Sequence, residues 1–100
     1  MQPDRELYYW PEFEIEIFFL IYDHSAHTNC FVRADKPEAA MKMYLEWQGI
    51  NNYANLFEKF YHDCNCHLTE IRPRMIQQML SDEQLKQLKT DNVICRDVSR

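Results

Sequence analysis

The chain has 100 residues, 46% apolar and 14% aromatic, enough for one hydrophobic core, too few for two, and too apolar for disorder. Its net charge of −5 is held unevenly: residues 1–50 carry four Lys or Arg against nine Asp or Glu, while residues 51–100 carry seven of each. An acidic front half repels nucleic acid and attracts basic protein surfaces, which argues against direct nucleic-acid binding.

The opening residues 1–13 lack a basic stretch followed by an apolar run and do not read as a signal peptide. No apolar run approaches the ~20 residues that a membrane-crossing helix needs. Residues 12–22 read as a strand that changes character halfway. Glu12, Glu14 and Glu16 alternate with Phe13, Ile15 and Ile17, whereas residues 18–22 are apolar on both faces. Alternate side chains of a strand point to opposite sides, so the pattern predicts a carboxylate row at one end and cover on both faces at the other. The polar segment 23–28 reads as a turn and residues 29–34 as the returning strand of a hairpin.

A helix is predicted next, with Asp35 as N-cap, Glu38 as capping-box partner and Pro37 in the first turn. Ala40, Met43, Tyr44 and Trp47 form its apolar stripe, and Gly49, the only glycine, ends it. A second helix is expected over residues 52–62, with Tyr53, Leu56, Phe57, Phe60 and Tyr61 on one face. Residues 67–72 read as a third strand closed by Pro73. Met75, Ile76, Met79 and Leu80 suggest a short helix, and Ser81 with Gln84 opens a last one, with Leu85 and Leu88 inward. Residues 92–96 complete the pattern as a short fourth strand. The order predicts one α+β domain over residues 1–100: a small antiparallel sheet of three or four strands, with an N-terminal β-hairpin, packed against three to four helices.

Four cysteines in 100 residues are too sparse for a disulfide scaffold, and without an export signal they read as reduced thiols in a cytosol. The histidines and most of the cysteines fall in two groups, His24–His27–Cys30 and His62–Cys64–Cys66–His67. The second is a weak zinc candidate, because Zn²⁺ needs four ligands around one point and neighbours on an extended segment point to alternate sides. If the second helix leads away from the hairpin turn, the two groups lie roughly 15–20 Å apart at strand spacing, which argues against a shared site. The default expectation is no metal and no cofactor.

No glycine-rich phosphate loop, nucleophile elbow or H-E-x-x-H helix is present, so the chain reads as non-enzymatic. The row Glu12, Glu14, Glu16 repeats a charge about every 6.7 Å, a spacing suited to a Lys/Arg groove that normally holds a nucleic-acid backbone. Tyr9 and Trp10, of the types that dominate interface hot spots, join that row as the expected partner-binding residues. Arg72, Arg74, Lys86 and Lys89 form the alternative, a basic patch for a small nucleic-acid-associated regulatory module. A third reading is a homodimer pairing through Phe18, Leu20 and Tyr22.

The stretch Phe31–Val32–Arg33–Ala34–Asp35–Lys36–Pro37–Glu38–Ala39–Ala40, leading to Tyr44–Leu45–Glu46–Trp47, resembles a hairpin-to-helix junction common in small accessory proteins of phages and plasmids. Among these are several type I anti-CRISPR proteins with a β-β-α core. The resemblance covers residues 13–48 and transfers no functional residue. It implies a phage-type inhibitor of a bacterial defence complex, such as a CRISPR–Cas effector. Such an inhibitor acts in the host cytosol by protein–protein binding through an acidic and aromatic surface.

Overall fold

A computed structural model describes residues 17–97. Four strands form one antiparallel sheet in the order β3-β1-β2-β4, with β1 at Phe18–Asp23, β2 at Thr28–Arg33, β3 at Cys66–Ile71 and β4 at Val93–Asp97. The helices are α1 at Pro37–Trp47, α2 at Pro73–Met79 and α3 at Asp82–Asp91, with a wider π-helical turn at Glu58–Asp63. The α+β architecture expected from the sequence is therefore the one observed, with the fourth strand present at the β2 edge.

The sheet carries helices on both faces, which explains why residues 18–22 are apolar on both sides. Phe19 and Ile21 pack with Val32, Met41, Tyr44, Leu45 and Phe60 under α1 and the π turn. Phe18 and Phe31 pack with Ile76, Leu85, Leu88 and Ile94 under α2 and α3. Strand parity assigns the faces: Phe19 pairs with Val32 and Phe18 with Arg33 across the β1–β2 ladder, so neighbouring residues go to opposite layers. Burying each phenylalanine contributes roughly 1.5–3 kcal/mol.

Several local expectations need correction. The strand predicted over residues 12–22 has its described part at Phe18–Asp23, and Glu12, Glu14 and Glu16 lie outside the described residues. Helix α1 is not capped by Asp35. Pro37 takes the first helical position, which makes Lys36 the N-cap, extended at φ −162° and ψ 161° with no side-chain cap. That conformation is the one a following proline imposes. At the other end, Gly49 at φ +80° donates to Glu46 O and Ile50 donates to Leu45 O, a Schellman closure. The capping box of α3 is present as read: Ser81 accepts from the Gln84 N–H, and the Gln84 side chain accepts from the Ser81 N–H.

The second helix differs most from expectation. Asn55, not Asn52, opens it by accepting the Glu58 N–H at 3.0 Å, and Cys64 N–H reaches back five residues to Lys59 O. In this wider turn Phe60 stays fully buried, whereas Phe57 and Tyr61 roll outward and stack on each other with centroids 6.4 Å apart. With one glycine in the chain, left-handed backbone falls to Asn65, Asn92 and His27 at φ 55°, 68° and 57°. Asparagine tolerates this region better than most residues.

Candidate functional site

Among the described residues, two places gather chemistry-bearing side chains. The first is the hairpin end of the sheet. Helix α1 brings the chain back to this end, and the π turn, only six residues long, does not carry it away. Strand β3 therefore starts beside the hairpin, with Cys66 opposite Asp23 and His67 opposite Tyr22. The two His/Cys groups expected at opposite ends meet here: the His24 and His67 rings are 4.8 Å apart, and His24 is 4.5 Å from Tyr22. The expected separation fails because it assumed a second helix of full length.

Meeting does not make a ligand set. Among the described residues no group of three or more His, Cys, Asp or Glu side chains is placed to hold a metal ion. His62 and His67 are exposed while Cys66 is buried, and strand alternation sends Cys66 and His67 to opposite faces. The zinc candidate of His62, Cys64, Cys66 and His67 therefore does not assemble.

Beneath the rings lies a buried polar network. Asp23, 7% exposed, accepts the Tyr44 hydroxyl at 2.5 Å and the Ala26 N–H at 3.0 Å. Gln48 donates to the same Tyr44 oxygen from one turn further along α1. A buried carboxylate needs such donors, since leaving one unsatisfied costs about 1–3 kcal/mol. Burial, then hydrogen bonding to Asp23, raises the Tyr44 hydroxyl well above the usual phenol range. Burial, with the Asp23 charge second, pushes the Cys66 thiol up to about 12. Burial also raises Cys64. Both thiols are thus protonated near neutral pH, the reverse of an activated nucleophile. The network clamps the hairpin to α1.

The other two cysteines overturn the expectation of reduced thiols. Cys30 and Cys95 face each other across the β2–β4 ladder with Cα atoms 4.0 Å apart and are disulfide-bonded. Sequence spacing could not show this, because they are 65 residues apart and only sheet order brings them opposite. Cys64 and Cys66 are free.

The second place is an open depression of about 410 Å³, where the last turn of α1 meets the end of α3 and the start of β4. Met43, Glu46 and Trp47 line it from α1, and Asp91, Asn92 and Val93 from the other side. Trp47, expected on the buried stripe of α1, is 50% exposed. Helix α1 buries Ala40, Met41, Tyr44 and Leu45 instead, so its inward stripe is turned by about one residue and leaves the indole at the margin. The signal available in the sequence was Leu45, apolar and one position past Tyr44.

Of the partner-binding candidates, Tyr9, Trp10, Glu12, Glu14 and Glu16 lie outside the described residues. Arg72 and Arg74 sit at the start of α2, and Lys86 and Lys89 on α3; all four are exposed. Asp82 and Glu83 stand in the first turn of the same α3, so that layer is mixed in charge. Among the homodimer candidates, Phe18 is fully buried and Leu20 and Tyr22 partly so; the layer of α2 and α3 takes Phe18 out of any such surface. No helix among the described residues is long and apolar enough to cross a membrane. No family model, curated protein or solved structure matches the chain.

Proposed function

We propose that this is a non-catalytic protein that acts by docking on a basic surface of another protein complex. In its most specific form it is a phage-type inhibitor of a bacterial defence complex such as a CRISPR–Cas effector, working in the host cytosol. The observation that carries this reading is the pairing of net acidity with exposed anchors. On a chain of net charge −5, Trp47, Phe57 and Tyr61 are 50%, 48% and 39% exposed. Large aromatic side chains left at the surface are the usual centres of interface energy, and net negative charge steers toward a cationic partner. The two protonated free thiols support the non-catalytic half of the reading.

The test is competition. A purified CRISPR–Cas effector with a basic nucleic-acid groove is mixed with the chain, and target binding by the effector is measured. Target binding should fall in proportion to added protein, and Glu14→Lys with Glu16→Lys should restore it. Unchanged target binding, together with retention of random DNA by the chain that weakens steeply with salt, would instead favour a nucleic-acid module using Arg72, Arg74, Lys86 and Lys89. The Cys30–Cys95 bond adds a condition: in a reducing cytosol those thiols would face each other unbonded across the ladder.

A further inference from the structure

We propose that the depression between α1 and the α3–β4 junction is a receptor for one arginine side chain of a partner protein. This inference rests on the docking reading and names the group recognised. Among the described residues its lining holds two carboxylates, Glu46 and Asp91, one half-exposed indole, Trp47, and no lysine or arginine. A guanidinium is the group that such a lining fits. It stacks flat on an aromatic face, and its planar fork of N–H donors matches carboxylate oxygens.

The position of the carboxylates strengthens the argument. Glu46 and Asp91 both lie in the last turns of their helices, where the helix dipole disfavours negative charge and favours a cation. Two acids at two helix C-termini, beside an exposed tryptophan, are poor choices for stability alone. Helix α1 has no basic residue in its last turn, whereas α3 has Lys89, so an incoming cation would relieve Glu46 above all. The rim already binds one guanidinium of the chain itself: Arg33 Nε donates to Asn92 Oδ1 at 3.0 Å. Arg33 is not among the described residues that line the depression itself. Another depression, beside the π turn, differs in kind, because its Lys59 is 3.9 Å from Asp63 and supplies its own cation.

The test uses the full ¹⁵N-labelled chain, with the indole N–H signals of Trp10 and Trp47 distinguished by Trp10→Phe. The probe is N-acetylarginine methylamide; the control is its citrulline analogue, equal in shape but uncharged. The Trp47 signal should shift saturably with the arginine probe in the millimolar range and stay in place with citrulline. Glu46→Gln with Asp91→Asn should weaken the arginine response about tenfold. A stationary Trp47 signal, an equal response to citrulline, or undiminished binding by the double variant would overturn the proposal. Effector inhibition that persists without an arginine response would sink the receptor alone. An arginine response without any effector binding would sink the wider reading alone.

Discussion

The two faces of the sheet are held by different physics. Under α1 the core contains a buried carboxylate, two hydroxyl or amide partners, a protonated thiol and the Cys30–Cys95 disulfide. Under α2 and α3 the buried side chains among the described residues are wholly apolar: Phe18, Phe31, Ile76, Leu80, Leu85, Leu88 and Ile94. The apolar face depends on shape and volume, which degrade in steps as atoms are removed. The α1 face depends on directional partners, each of which strands a buried polar group when lost. The chain thus combines a tolerant layer with an exacting one, and the exacting one adjoins the surfaces proposed for docking.

That contrast can be broken experimentally, beginning with the covalent link. Cys30→Ala with Cys95→Ala opens a loop of 65 residues and should cost about 4 kcal/mol in urea unfolding by the chain-entropy estimate. A loss near zero would mean that the ladder alone holds β4. Leu88→Ala, on the apolar face, should cost about 3 kcal/mol through the cavity it leaves, read as a lower midpoint at unchanged slope. Tyr44→Phe removes one oxygen and no volume to speak of, yet should cost about 2 kcal/mol because Asp23 loses its buried donor. If Tyr44→Phe were neutral, the polar clamp would be ornamental and the two faces would not differ. Ser81→Ala, which removes the α3 cap at the surface, should cost about 1 kcal/mol.

The last effect is confined to alkaline pH and comes from Cys66. Its folded pKa is raised from 9.0 to about 12, so the folded state favours the protonated thiol. The stabilisation is fully present below pH 9 and is lost as pH rises toward 12. Thermal melts of the wild type should therefore decline over that window, and Cys66→Ala should flatten the decline. An unchanged slope in the variant would assign the decline to Tyr44 and other groups.

How far the residues revealed the site depends on which interactions built it. The Ser81–Gln84 capping box, the hairpin at residues 23–28 and the terminating Gly49 were legible because each is decided within a few residues of chain. The Trp47 depression was not, since its two walls are 44 residues apart at Trp47 and Asp91 and the helix phase depended on Leu45 finding the core. The acidic row and the aromatic pair at residues 9–16 were legible only as pattern, and their place lies outside the described residues.

Sequence alone determined the two-sided apolar strand, the α+β order of elements and the acidity of the front half, because periodicity and charge are local properties of the chain. Tertiary structure decided the rest. Sheet order β3-β1-β2-β4 placed Cys30 opposite Cys95 and Cys66 opposite Asp23, and the π turn brought His24 to His67. These meetings depend on where the chain returns in space. That is set by the summed packing of both cores, and no short stretch of residues records it.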